Sequence, residues 1–464
     1  RQMFVETRES CMINSGPGCG KTHECIRKVA QCVDRKFVIL VYNKSIRDAI
    51  HAQLTAFPNG DVYTLHAMAR KLLYPANATV LTKGDDAFKK MKKRIKERCL
   101  ARLSAPEHLG DLMAVGRTLG CTRRGVVDKN KTLTRCFNDV FKMTRWEFGA
   151  SKQARRCCDV VEHEIFDAVQ HDGFYDYDWA VLTCIRKGLC ERMADDYDCL
   201  IFDEAQDLSK ELYQMKPVRK SMQIIYMGDT NQSIYGYDEN FFNAFDRDEV
   251  SGLRRFEFTH SFRCSPDIVE FVKEQCDELD VKMTGDPSLR TRIYRKIDEF
   301  LQDGERPAVT ELHYLAWSHK SICHAVLEAH RQGHEYSFIG KSKDEYLTML
   351  KEKVKDQKIN THLLDQVESA LELYNKSAKL VFSTVHQAKG LTLKNIATDP
   401  QIHTSGAPHQ LRFVALTRAT DTIFASIPAA QVFTDVMVPQ GEPPAKRHRQ
   451  DSATRDIRTF FAGP

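Results

Sequence analysis

The chain has 464 residues, 42% of them hydrophobic, enough to bury two or three cores of ordinary domain size. Its unbroken apolar runs stop at strand length, as in Phe37-Val38-Ile39-Leu40-Val41-Tyr42, whereas a membrane span needs about 18 apolar residues. No secretory signal stands at the start, so no membrane partner is expected and the chain reads as soluble and intracellular. A net charge of +5, from 68 Lys and Arg against 63 Asp and Glu, excludes a globally basic protein. Any nucleic-acid surface must be local. The 15 cysteines contain no Cys-x-x-Cys pair and read as reduced thiols, with an iron–sulfur or zinc site as the alternative.

The first strong signal in chain order is Ser15-Gly16-Pro17-Gly18-Cys19-Gly20-Lys21-Thr22. It follows a strand-like segment from Cys11 to Asn14 and precedes a helical one from His23 to Cys32, the context a phosphate-binding loop requires. Glycines let backbone N–H groups turn onto phosphates, and the helix N-terminus adds its dipole. Lys21 would reach the β- and γ-phosphates of ATP, and Thr22 would ligate Mg²⁺. From residue 76 to 190 the pattern turns helical, over Asp85 to Leu103, Thr132 to Phe148 and Gln153 to Val169. Within it, Lys89-Lys90-Met91-Lys92-Lys93-Arg94 continues into a cationic face that reads equally as solvated surface or as a phosphate contact. Further on, Tyr197 to Phe202 has a buried-strand pattern and runs into Asp203-Glu204-Ala205-Gln206-Asp207. Acids at a strand's carboxyl end suit metal-assisted phosphoryl chemistry. Asp203 would hold Mg²⁺ through water, and Glu204 would accept a proton from the attacking water.

Taken in order, these segments and seven more resemble the signature motifs of the UvrD/Rep branch of superfamily 1 DNA helicases. Asp203 to Asp207 is similar to motif II, Val41 to Ile46 to motif Ia, and Tyr63 to Ala69 to motif Ib. Motifs Ia and Ib are closest to the eukaryotic F-box DNA helicases. Met227 to Tyr237 resembles motif III, His260-Ser261-Phe262-Arg263 motif IV, and Trp317 to Gly340 the segment called IVa. Ser383 to Leu391 resembles motif V, and Val414 to Ala419 motif VI.

The resemblance implies an α/β fold with two RecA-like parallel-sheet domains and ATP between them. Gly16, Pro17, Gly18, Cys19, Gly20, Lys21 and Thr22 would cradle the nucleotide, with Gly390 beside it and Gln2 reading the adenine. Arg263 and Arg418 would come from the second domain to the γ-phosphate, and Gln232 would sense it. Single-stranded DNA would lie on Tyr42, Asn43, Lys44, Thr64, His66, Tyr235, Tyr237 and His386. The activity implied is DNA-stimulated ATP hydrolysis driving 3′→5′ movement and unwinding of tailed duplexes, in replication, repair or recombination. A translocase that displaces proteins without unwinding, and an inactive DNA-binding module, are the alternatives. The chain departs from the family pattern at Thr392, where motif V has Glu, and at Asp238, where motif III has Arg.

By the same resemblance the first domain takes residues 1–75 and 191–252, a helical 1B-type insertion 76–190, and the second domain 253–430. Only residues 341–379 stand where relatives insert a large 2B domain. Residues 431–464 read as a flexible tail. Ala445-Lys446-Arg447-His448-Arg449 resembles a nuclear import signal, so the location expected is nuclear, otherwise cytoplasmic. Thr454 to Phe461 resembles the box that binds a PCNA-type sliding clamp. One 3₁₀ turn there would gather Ile457, Phe460 and Phe461 into an apolar plug.

Overall fold

The computed structural model describes residues 1–42, 44–75, 78–81, 163–164, 167–173, 175, 177–234, 243–355 and 359–437, with scattered positions between 86 and 98. The expected helices over Thr132 to Phe148 and most of Gln153 to Val169 lie outside these residues, as does the tail from 438. Among the described residues no helix is long and apolar enough to cross a membrane, and ten cysteines are free thiols.

Short apolar runs that alternate with amphipathic helices can bury both faces only as parallel strands covered by helices. The chain does this twice. In the first sheet β1 (Cys11–Ser15), β2 (Phe37–Val41), β3 (Gly60–Thr64), β4 (Cys199–Phe202), β5 (Gln223–Gly228) and β6 (Arg254–Phe258) lie in the order β3-β2-β4-β5-β1-β6. In the second, β7 (Arg292–Tyr294), β8 (Leu312–Ala316), β9 (Tyr336–Phe338), β10 (Leu380–Thr384), β11 (Leu393–Thr398) and β12 (Ala419–Ala425) lie in the order β7-β12-β11-β8-β10-β9. Every registered pair is parallel, so the molecule has two parallel-sheet α/β domains, as the RecA-like expectation requires. One apolar cluster holds both: Phe4, Ile13 and Met227 of the first share it with Leu315, Ile396 and Val414 of the second.

Three boundaries differ from those expected. β6, assigned to the second domain by a start at 253, pairs with β1 from Arg254 to Phe258 and so extends the first sheet. The rings of Phe256 and Phe258 explain it, since both meet Phe4 edge-on at 5.8 and 6.0 Å. The helix Tyr177–Arg186, placed in the insertion, packs Val181 and Cys184 into the core with Met68 and Leu72 of the helix Leu65–Leu73. The helix Ala429–Val436 overlaps the expected tail but buries Val432 and Phe433 in the second core. In each case apolar side chains removed from water set the boundary.

The short segment in place of a 2B domain folds as two helices, Lys343–Lys355 and Thr361–Ala370. Tyr346, Leu350, Leu363 and Val367 pack with Ile322 and Val326 of the helix His319–Arg331. Burying a leucine such as Leu350 contributes about 1.5–3 kcal/mol. The segment is therefore part of the second domain's core.

Candidate active site

The glycine-rich loop starts at the carboxyl end of β1 and leads into the helix Lys21–Gln31. Gly18 and Gly20 have φ of 71° and 83°, a backbone region that glycine enters without a steric cost. Space tightens the requirement at Gly18, where a Cβ would lie 2.4 Å from Arg263 Cβ and 2.9 Å from Ser261 Oγ. The second domain touches the loop directly here: Ser261 Oγ donates to Pro17 O at 2.8 Å, and Phe262 N donates to Gly18 O at 2.9 Å. Lys21 Nζ donates to Ser15 O at 2.9 Å, and Thr22 follows it in the first turn of the helix. Burial pushes the Cys19 thiol up to about 11, so it stays protonated and acts as packing.

β4 carries Asp203 and Glu204 to the same end of the sheet. Asp203 is only 4% exposed. Burial, then the neighbouring Glu204, pushes its carboxyl up to about 7 against the pull of Lys21. Glu204 behaves oppositely. Burial disfavours its charge, but Lys389, Lys21, the Gln206 amide and Arg418 together hold its carboxyl below the usual carboxylate range. It is also a non-glycine residue in the left-handed region, at φ 53°. Gln206 Nε2 donates to Glu204 Oε2 at 2.6 Å, while Gln206 Oε1 accepts from Asp229 N at 3.0 Å. That amide occupies the place of a side chain at residue 228: a Cβ on Gly228 would sit 2.0 Å from Gln206 Oε1.

From the second domain, Arg418 reaches the acids fully buried. Its Nε donates to Val414 O at 2.9 Å, and Nη2 donates to Thr417 Oγ1 at 3.1 Å and Gln232 Oε1 at 3.2 Å. Burial and the nearby Arg263 push its pKa down to about 9. Arg263 is lowered too, chiefly by burial, and feels the charge of Glu204. Gln232 closes the arrangement, donating from Nε2 to Asp229 Oδ2 at 2.7 Å. Lys389 Nζ donates to Gln232 O at 2.6 Å and forms a short, buried ion pair with Asp207. Gly390 follows with φ 86°, and Thr392 is exposed. Lys21, Asp203, Glu204, Gln232, Arg263 and Arg418 are thus brought to one place.

Gln2 is not. Its side chain is exposed on the helix Gln2–Glu6, where Nε2 bonds Glu6 Oε1 at 2.5 Å and Oε1 accepts from Arg27. That helix is anchored by Lys28, 0% exposed, whose Nζ donates to the carbonyls of Phe4, Val5 and Thr7 at 3.1, 3.0 and 2.6 Å. At the rim, Phe262 leaves 55% of its surface exposed, near Gly20 and under the Arg1 guanidinium at 4.9 Å. Sequence reasoning missed Phe262, Gln206, Asp207 and Lys389 as functional residues. The first had a legible signal, an aromatic between two polar motif residues; Gln206 ties its neighbour Glu204 to the distant Asp229, and Asp207 and Lys389 meet only across the chain.

Of the residues expected to face a nucleic acid, Tyr42 follows β2 half-exposed and Lys44 opens the helix Lys44–Leu54 on the surface. Thr64 caps a helix, its Oγ1 accepting from Ala67 N at 3.2 Å. His66 is half-buried, with its carbonyl accepting from Tyr175 OH at 2.6 Å. His386, in the turn Val385–Ala388, bonds the backbone of Ile234, and burial lowers its pKa. Asn43, Tyr235, Tyr237 and the clamp-binding candidates Ile457, Phe460 and Phe461 lie outside the described residues.

The family model of the UvrD/REP helicase N-terminal domain matches residues 1–248. No curated protein matches the chain. Similar solved structures include the PRRSV helicase, at 12% identity and a TM-score of 0.36, with 92% of this chain and 54% of that one covered. Another is the arterivirus nonstructural protein 10 helicase in complex with DNA, at 10% identity and a TM-score of 0.35, covering 92% of this chain and 63% of that one. The chain therefore spans less than two thirds of the length of either.

Proposed function

The chain belongs to the UvrD/REP helicase family, and from that premise we propose that it is a DNA helicase in which ATP hydrolysis drives 3′→5′ movement along a single strand. The observation that carries this reading is the meeting of Arg263 and Arg418 with the Lys21, Asp203 and Glu204 cluster of the other domain. Paired guanidiniums pressed together in a buried site repel each other and gain from an anion between them. A triphosphate held on the N–H groups of residues 18–22 supplies that anion.

Each residue then has a task. Lys21 leaves the Ser15 carbonyl for the phosphates. Glu204, ionised beside Lys389 and oriented by Gln206, takes the proton of the attacking water. Arg263 and Arg418 stabilise charge on the transferring phosphoryl group. Thr22 and Asp203 are hard oxygen donors suited to Mg²⁺, and the raised pKa of Asp203 marks a carboxylate that a cation would stabilise. Bound there, Mg²⁺ neutralises phosphate charge. Phe262 offers its exposed face to the base. Loss of the γ-phosphate removes the anion that offsets the repulsion between the two arginines, and Gln232, bonded to both Asp229 and Arg418, passes the change between sheets. A strand lying along Tyr42, Lys44 and His386 moves with that opening and closing.

Strand displacement tests the reading. ATP-dependent separation is expected on a duplex with a 3′ single-stranded tail and not on a 5′ tail. Hydrolysis stimulated by DNA without separation would favour a translocase, and no effect of any polynucleotide on hydrolysis would overturn the proposal.

We place the chain in the nucleus, tethered to a sliding clamp through Ile457, Phe460 and Phe461. Two adjacent phenylalanines in a hydrophilic stretch of sequence support the clamp, because aromatic anchors commonly dominate such interfaces, and Lys446-Arg447-His448-Arg449 supports the nucleus. A peptide of residues 446–464 should bind PCNA in calorimetry and lose binding when Phe460 and Phe461 become Ala. Equal heats from both peptides would end the clamp proposal alone.

A further inference from the structure

β8, β10 and β9 are neighbours in the second sheet and run parallel, with Ala316 opposite Thr384 and Phe338 opposite Phe382. Their carboxyl ends therefore open on one edge, where parallel α/β sheets present ligand sites. His319 and Lys320 stand just beyond β8, His386 beyond β10 and Lys341 beyond β9. The helix Lys343–Lys355 then folds back over this edge. Tyr346 stacks on Phe338 with ring centres 3.7 Å apart and faces His319 at 6.1 Å. Lys353 lies seven residues after Tyr346, two turns along the same helical face. Burial, then Lys353, Lys341 and His386, push the His319 imidazole down to about 4.

Lys341 and Lys353, both near enough to His319 to act on its charge, repel one another and call for a polyanion. Lys341 is held in place: its carbonyl accepts from Tyr374 OH at 3.3 Å and its backbone bridges to Phe338. Glu345, an acid that feels the charge of Lys341, is committed to the amide and hydroxyl of Ser342 at 2.8 and 3.0 Å. Among the described residues Lys320, Lys341 and Lys353 form no ion pair, whereas Lys351, off this face of the same helix, pairs with Glu368 at 3.5 Å. His319 Nδ1 is buried without a hydrogen-bond partner.

We infer that Lys341 and Lys353, from the short helical segment that stands where relatives carry a 2B domain, bind the phosphodiester backbone of the strand as it passes His386. The inference rests on the nucleic-acid reading above. Spaced ammonium groups on half-buried stems suit single oxyanions as point charges. On this account the helical pair is a wall of the groove and adds to the grip on the strand.

The test uses the full chain, a fluorescent oligo-dT and anisotropy over a series of salt concentrations. K341A/K353A is expected to weaken binding by roughly tenfold or more at 0.1 M salt and to reduce the slope of log affinity against log salt by about 1.4, about 0.7 for each phosphate no longer neutralised. The DNA concentration that half-saturates the ATPase should rise by the same factor. K341R/K353R should restore affinity and slope, which shows that charge rather than packing is read. K351A should match the unaltered chain in affinity, slope and basal hydrolysis. Unchanged affinity and slope in K341A/K353A, or an equal loss in K351A, would overturn this inference and leave the helicase reading intact. Failure of the unaltered chain to bind oligo-dT would instead remove both.

Discussion

Glu204→Gln is expected to cut the turnover of DNA-stimulated ATP hydrolysis by about 10²–10⁴, the range supplied by a positioned general base. ATP should still bind, because Lys21 and the loop amides are untouched. The substitution is close to isosteric, and its amide oxygen can keep accepting from Gln206 Nε2, which now bonds Glu204 Oε2 at 2.6 Å. The left-handed backbone at residue 204 is a cost either residue bears alike. What is lost is the anion, the form that Lys389, Lys21 and Arg418 favour in spite of burial. Single-turnover hydrolysis, with nucleotide binding measured separately by a fluorescent analogue, separates the two quantities. Turnover within a few fold of the unaltered chain would show that Glu204 is not the base.

Arg263→Ala is expected to reduce turnover by roughly 10³–10⁵, the range for an arginine that stabilises phosphoryl-transfer charge. Its effect on folding should be small. Alanine retains the Cβ that packs against Gly18, and the Ser261 contacts to the loop involve other atoms. Removing Arg263 also takes away a positive charge that lowers the pKa of Arg418. The thermal midpoint should therefore hold or rise slightly while activity collapses, a combination that disrupted packing does not produce. Calorimetry beside steady-state kinetics would show it. Normal turnover with a lowered midpoint would make Arg263 a structural residue.

Both outcomes depend on an arrangement in which no acid acts alone. Glu204 is oriented by Gln206, which bonds the amide of Asp229, which accepts from Gln232, which accepts from Arg418. Lys389 adds a second crossing between domains through Asp207 and the Gln232 carbonyl. Networks of this kind strengthen each member in a low-dielectric site. They also make the charge and orientation of Glu204 sensitive to whether the second domain is in place, which is the coupling the proposed activity needs.

What the sequence determined by itself was chemistry that lives within a few consecutive residues. The phosphate loop was legible because Gly18 and Gly20 permit the backbone turn that lets amides face one point, and because strand and helix flank it at fixed spacing. The acids at the end of β4 were legible for the same local reason, whereas the two-sheet fold class and the pair of arginines came from the family resemblance. Tertiary structure alone decided the rest. β6 joins the first sheet because Phe256 and Phe258 meet Phe4, some 250 residues earlier in the chain. Gly228 must lack a side chain because the Gln206 amide fills that space, and Lys389 finds Asp207 across 182 positions. The gathering of Lys341, Lys353 and His386 comes from successive strands that the sheet sets side by side in the order β8-β10-β9, with the helix Lys343–Lys355 folded over their ends. Periodicity and spacing report a residue's neighbours within a turn or two of helix. Which strand lies beside which, and so which charges meet, follows from the packing of whole faces, and no short stretch of sequence contains it.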